Sequence, residues 1–384
     1  MSVMLYHRGD VRDYERWEEM GARGWGPADV LPYFRKSENQ ATKTDSVYHG
    51  KTGPLRVSDL AHVNPMSKAF MEAAAEVGLP TNDDFNDWAR PQEGIGPFQV
   101  TQSDGMRVTP ATSYLRAAQG RSNLKVRTRA RVERVNFEMG PDGKPFASGV
   151  TYVDKNERRV TIRAHREVIL AAGSVVSPQL LMLSGVGPGS HLQDHGISVV
   201  SDLAGVGENF QDQPATALCF RSPSPLDDKK KDRIFYSEKT GKSLVNLLDY
   251  IVRGKGPLTC PLCEVGGFVK TNPDHESCDL QLRFVPFSSE PDPYSSLGEF
   301  AEAGDYLTNR SNRPAGFTIQ SVVARPRSRG KVLIPQSHSF CLGHPLMHHV
   351  YPDVVYLGHR FCYDRRTRGI PPGFKQTGSM TKLI

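Results

Sequence analysis

Residues 168–187, VILAAGSVVSPQLLMLSGVG, form a run of 20 without a charged side chain, about the length a helix needs to cross a bilayer. The polar positions inside it argue against a span. Ser174, Ser177, Gln179 and Ser184 interrupt the apolar surface, and Pro178 would delete a backbone hydrogen bond in mid-helix. Read in parts, the run predicts a strand, a turn and a helix. The apolar, partly β-branched EVILAAG (167–173) suits a parallel strand buried on both faces. Ala171, Ala172 and Gly173 then turn the chain almost without side chains. Ser177 stands as helix N-cap with Pro178 in the first helical position, and QLLMLS continues until Gly185. Upstream, residues 123–137, 148–154 and 158–173 read as successive strands, with turns at Pro141-Asp142-Gly143 and Lys155-Asn156-Glu157. Val132 and Val135 are the expected buried positions of the first. Residues 64–80 have helical spacing that starts at Asn64 or Pro65 and stops at Gly78. The polar stretch 222–243 predicts a surface loop, whereas DLQLRFVPF (279–287) and GFTIQSVVARP (316–326) predict strands of a second sheet.

Composition excludes some classes. At 38% hydrophobic and 23% charged over 384 residues, the chain is an ordinary globular one, long enough for two domains. Its formal charge of +6 is mild. Arg127, Arg129, Arg131 and Arg134 suit the exposed face of a strand, and no aromatic-basic module accompanies them, so no nucleic-acid partner is expected. Six cysteines are too few for a disulfide scaffold. Cys260, Cys263, His275 and Cys278 could ligate zinc, but the spacing before His275 is short and the H-x-x-C end unusual; a coincidence in a Gly/Pro-rich loop is the expectation, with no metal. No signal peptide, integral membrane segment, amphipathic segment or lipidation signal is found, and the compartment is not indicated.

A small-residue turn between strand and helix lets another molecule approach the backbone, and the helix N-terminus offers free N–H groups to an anion. Residues 173–187, GSVVSPQLLMLSGVG, resemble at every position the second signature of the glucose–methanol–choline (GMC) flavin oxidoreductase family. DLAGVGENFQDQP (202–214) is similar to the family's GVGxNLQDH, with Phe210 and Gln213 in place of the usual Leu and His. MLYHRGDVRDYERWEEMGARGWGPADVLPYFRKSE resembles the segment after the family's first signature. QVTQSDGMRVTPATSYLRAA, RGKGPLTC…EVGGFVKT and ARPRSRGKVLI also have family counterparts, so the likeness covers residues 2–337 in the family's order.

The resemblance implies a mixed α/β fold: a partial, doubly wound FAD-binding domain over 1–214, part of an antiparallel-sheet substrate domain over 215–337, and an unassigned tail over 338–384. It implies FAD, a small-molecule alcohol substrate oxidised at its CH–OH carbon, and an unidentified electron acceptor. It places Val132 at the adenine, Ala172 and Gly173 at the close-approach turn beside the dinucleotide, Met4, Tyr6 and Arg8 near the flavin, and Asn209 and Asp212 at the crossover. Asn and Asp also cap turns, and Val132 also fits a plain strand. The family's G-x-G-x-x-G turn has no counterpart here, and Ser2 stands where an Asn is usual. The chain is therefore expected to be short at both ends. His338, His344, His348, His349 and His359 of the tail lack the family's Gly-Thr context, and no catalytic base is assigned. Three readings stay open: a flavoenzyme whose full chain is longer, a catalytically inactive remnant binding flavin weakly or a protein partner, and a peripheral membrane protein. Expressed alone, the chain is expected to bind FAD poorly and to oxidise no alcohol, since unpaired buried backbone groups cost about 1–3 kcal/mol each.

Overall fold

Capping chemistry sets the helix boundaries in the first third of the chain. The computed structural model describes residues 4–222, 235–236, 240, 243–288 and 316–334. Helix α1 (Val11–Glu19) opens on a capping box between Asp10 and Asp13, and α2 (Pro27–Ser37) opens with Pro27. In α3 (Pro65–Glu76), the Asn64 side chain accepts from the Met66 N–H, and Gly78 follows the C-cap at φ +86°. This is the helix that the 64–80 spacing predicts.

The described residues fall into two compact units. The first joins 4–120 to the described part of 213–325. Two short strands, β1 (Glu38–Gln40) and β2 (Leu55–Val57), pair in parallel. Further on come β3 (Gly94–Pro97), β4 (Gln102–Ser103), β5 (Met106–Arg107), and a π-helical turn, Ala111–Leu115, continued by α4 (Arg116–Ala118). The main sheet needs four later strands. The second unit, 121–212 with 326–334, carries β6 (Arg131–Met139), β7 (Pro145–Val153) and β8 (Arg159–Arg163) as an antiparallel meander in that order. It also holds α5 (Gly173–Leu183), β9 (Val186–Gly187), α6 (Gly189–Asp194) and β10 (Ser201–Asp202), with β9 and β10 parallel. Its core gathers Met182 and Leu192 with Val332 and Ile334.

Back in the first unit, β11 (Ala215–Arg221), β12 (Val265–Val269), β13 (Leu280–Val285) and β14 (Gly316–Val323) join β3 in a five-stranded antiparallel sheet, order β11-β14-β13-β12-β3. The expected antiparallel sheet is therefore present, and β3 from the first hundred residues forms one edge of it. Glycine makes that edge possible: a Cβ on Gly267 would lie 1.8 Å from the Gly94 carbonyl oxygen. Phe85, Phe98, Phe268, Val285 and Phe287 fill the core beneath it. Helix α7 (Leu244–Arg253) also belongs to this unit.

Several expectations are corrected. Residues 167–172 form no strand, and Ile169 is 79% exposed; a strand requires a hydrogen-bonding neighbour, and among the described residues this segment has none. Helix α5 begins at Gly173, so Pro178 lies inside it, and the Ser177 hydroxyl accepts from the Ala172 N–H rather than capping a later start. Val135 is buried but Val132 is exposed, although a bulge between Val132 and Arg134 pairs the two with Tyr152 and Val150 on one face of β7; Val132 lies at the uncovered start of the strand. Residues 123–130 add nothing to the first meander strand, while the two turns fall where expected. Helix α7 is strongly amphipathic, which the sequence reading missed. Among the described residues no helix is long and apolar enough to cross a membrane.

Phe98, fully buried at the centre of this core, should cost about 3–5 kcal/mol when replaced by Ala. Val47→Ala at an exposed site should change stability by less than about 0.5 kcal/mol. Denaturant titration of the two variants checks this; equal losses would mean that the aromatic cluster does not hold the unit together.

Candidate functional site

The segment after Met4 lies extended against residues 99–101. The Tyr6 N–H donates to the Gln99 carbonyl at 2.9 Å, and the Thr101 N–H donates to the Met4 carbonyl at 2.8 Å. In extended chain, alternate side chains point to opposite sides. Tyr6 and Arg8 face a polar environment; Leu5 and His7 face the aromatic cluster. Met4 is buried at φ +67°.

On the first side, Arg8 is buried in a chain of charges. Its guanidinium pairs with Glu38 and donates to the Tyr48 carbonyl at 2.5 Å. Glu38 accepts from His49 Nδ1 at 2.9 Å and from the Gly50 N–H at 2.8 Å, and His49 Nε2 donates to Asp84 at 2.9 Å. Burial alone would lower the His49 pKa, but hydrogen bonds to Asp84 and Glu38 outweigh it and carry it up to about 9. The order is therefore cation, anion, cation, anion. Asn86 closes the network: it donates to Gln99 at 2.7 Å and accepts from the Arg8 N–H at 2.9 Å. Tyr6, shielded by burial and touched by Arg8, has its pKa raised.

On the other side, Leu5, His7 and Gly9 line a cavity of about 420 Å³ with Phe268, Gln281 and Arg283. The His7 ring stands edge-on to Phe98 and Phe268, at 5.0 and 5.4 Å. Both ring nitrogens are buried without a hydrogen-bond partner. Burial, and secondarily Arg283, lower its pKa to about 4, so the imidazole is neutral at ordinary pH. Arg283 donates to Gln281 at 2.8 Å, and among the described residues no carboxylate pairs with it. Together these side chains offer a guanidinium, a neutral imidazole and an aromatic wall.

A third buried carboxylate, Glu264, ties strand to helix. It accepts from the Asn64 N–H and Ser67 hydroxyl at 2.7 Å each, from Cys260 at 2.9 Å, and from the Tyr236 hydroxyl. Cys260 is thus engaged with Glu264, Cys263 and Cys278 lie in the apolar core, and His275 sits 3.3 Å from Asp279. The described residues contain no cluster of three or more side chains suited to a metal ion.

The other expected site residues lie in the second unit. Ala172 and Gly173 form an exposed turn at the start of α5, which has no side-chain cap. Gly173 has φ +90° and open space where a Cβ would stand. Val132 pairs with Tyr152 across the meander. Asn209 adopts φ +60° beside Phe210, which bridges to Gly330; Asp212 follows at the end of the segment. The structure thus brings Met4, Tyr6 and Arg8 together on one segment, and Ala172 with Gly173 on one turn. His7, Gln281, Arg283 and the Glu38–His49–Asp84 chain were missed, because nothing in their spacing shows that they meet. The tail histidines lie outside the described residues.

The GMC oxidoreductase family profile matches residues 1–215. Fatty acid photodecarboxylase, chloroplastic, of Chlamydomonas reinhardtii is 38% identical over 343 residues, 88% of this chain and 55% of that protein. Alcohol dehydrogenase [acceptor] of Pseudomonas putida is 37% identical over 86% of this chain and 55% of its own length. Among solved structures, pyridoxine 4-oxidase from Mesorbium loti superposes with a TM-score of 0.64 at 25% identity, covering 86% of this chain and 56% of that one. The chain spans about half the length of the curated relatives it matches.

The His49 network gives the protein an alkaline limit. A folded-state pKa above the unfolded value of 6.5 stabilises fully below pH 6.5, and the gain is lost as pH rises through about 9. The loss is on the order of 3 kcal/mol. Denaturation midpoints measured across that window should fall for the wild type and stay nearly flat for His49→Gln. A wild-type profile as flat as the variant's would show that the imidazole is not charged in the fold.

Proposed function

Since the chain belongs to the GMC oxidoreductase family, we propose that it serves FAD-dependent oxidation of a small organic alcohol, with its own residues supplying part of the cofactor site and a substrate cavity. The observation that carries this reading is the Ala172–Gly173 turn within the matched region. Its uncapped helix start, left-handed glycine and free space beside the missing Cβ fit a dinucleotide approaching the backbone. Val132, Asn209 and Asp212 are further proposed cofactor contacts of the same unit; Met4, Tyr6 and Arg8 are proposed contacts on the family resemblance alone. The proposed division of labour puts flavin binding in 1–214 and substrate binding in 215–337.

FAD, when bound, accepts a hydride from the carbinol carbon. The protein's own part is to orient the substrate and exclude water. Phe268 and Leu5 wall the cavity, and the Arg8–Glu38–His49–Asp84 chain holds the segment that carries Leu5 and His7. The neutral His7 ring can accept a hydrogen bond from a substrate hydroxyl at whichever nitrogen is unprotonated.

A second reading concerns the substrate's polar group. A guanidinium that has no carboxylate partner among the described residues, in a cavity whose lining Asp13 is taken by Arg325, suits a carboxylate, and the Chlamydomonas relative is named for a fatty acid. On this reading Arg283 pairs with the acid headgroup, and Leu5 and Phe268 contact the chain next to it.

Two measurements test these readings. The protein isolated from its source should show a flavin absorbance that bleaches on anaerobic addition of an alcohol, and Gly173→Val should lower FAD affinity at least about tenfold. A native protein that neither carries nor takes up flavin would overturn the proposal. For the second reading, Arg283→Met should weaken fatty-acid binding about ten- to a hundredfold, while an alcohol of equal chain length binds as before. Equal effects on both ligands would leave the alcohol reading alone standing.

A further inference from the structure

Helix α7 is turned inside out. Ser243 caps its start, with the hydroxyl accepting from the Asn246 N–H, and Gly254 ends it at φ +61°. Asn246, Asp249 and Tyr250 form the half-buried face, and the Asn246 side chain donates to the Thr240 carbonyl at 3.0 Å. At the other end, Gly254 lies so close to the Asp104–Gly105 turn that a Cβ on Gly105 would come 2.3 Å from the Gly254 carbonyl oxygen. The fold thus holds the helix by its ends and its polar side. Leu244, Val245, Leu248, Ile251 and Val252 point outward, each 62–75% exposed. An amphipathic surface helix ordinarily buries that stripe.

We propose that α7 is a membrane-surface element that lies flat on bilayers rich in anionic lipid. Chemistry chooses this occupant over a protein. The exposed stripe is wholly aliphatic, with none of the Trp, Tyr or Arg anchors that give a protein interface its specificity. Acyl chains accept such a surface without shape matching. Charge supports the same partner: from Ser222 to Lys255 the sequence has eight basic residues against five acidic ones. Lys255 is exposed at the C-terminal end of the helix, where it would meet lipid phosphates, and the exposed Arg253 beside it pairs with Asp249 at 3.2 Å, a contact that a phosphate can replace. At ten residues the helix is about 15 Å long, half a bilayer core, so it lies in the interface rather than crossing it. This inference is independent of the flavin reading.

The test is flotation of the full chain with vesicles of phosphatidylcholine alone and with about one third phosphatidylserine. The wild type should float with the anionic vesicles and not with the neutral ones, and high salt should release it. Leu248→Glu with Ile251→Glu, both at exposed positions, should reduce binding about a hundredfold or more with an unchanged melting curve. Arg253→Gln and Lys255→Gln should each cost about fivefold. Labelling does not depend on those variants: a polarity-sensitive probe carried on Val252→Cys should shift to the blue when anionic vesicles are added. The proposal is overturned if the wild type ignores anionic vesicles, or if it binds them equally well with the two glutamates in place. It is also overturned if light scattering shows a dimer that those glutamates dissolve, since a second copy would then own the face.

Discussion

Burying four ionisable side chains in one place is the constraint around which the first unit is built. An isolated charge in a protein interior costs several kcal/mol, and only close, alternating partners offset it. Arg8, Glu38, His49 and Asp84 meet that condition by coming from four separate stretches of sequence. The segment after Met4, strand β1, the loop holding His49 and the loop before β3 must therefore arrive together or not at all. Removing any one member would strand its neighbours as unpaired buried charges, so the network specifies a single arrangement more than it adds stability.

That arrangement decides what the other side of the same segment can do. Because Arg8 is held by the network, Leu5 and His7 are fixed toward the sheet, where His7 has no hydrogen-bond partner. A neutral, orphaned imidazole beside a guanidinium that no described carboxylate pairs is costly to maintain in a core. A cavity that keeps such groups is one shaped for a polar ligand, which is why the substrate reading rests there. The cofactor reading rests on a different kind of feature, the absence of side chains at Gly173.

Family membership was legible in the order of motifs along the chain; the helix at 64–80 and the meander followed from capping residues and alternation, and the antiparallel sheet from the family resemblance. These are local signals: a cap, a turn or an apolar period acts within a few residues of where it is written. The strand expected at 167–172 failed because strand pairing is not local. An apolar run becomes a strand only beside another one, and no described strand lies beside this one. Val132 failed for a related reason: it shares a face with Val135, but what covers that face is set by the rest of the fold and not by the strand's own sequence. Ser177 and Pro178 offered a plausible helix start, yet the helix began at Gly173, where the backbone was already free to turn.

The amino-acid sequence by itself determined the family, the mixed α/β class, the helix at 64–80 and the positions that leave the backbone bare. Only the tertiary structure decided which polar residues meet and which way an amphipathic helix points. Arg8 to Asp84 spans 76 positions with no periodicity linking them, and Arg283 reaches the His7 cavity from still farther away. In α7 the spacing of Leu244, Leu248 and Ile251 is that of any core-facing helix. Whether such a stripe is buried or exposed depends on the surface that the rest of the chain presents to it, and that surface exists only once the chain has folded.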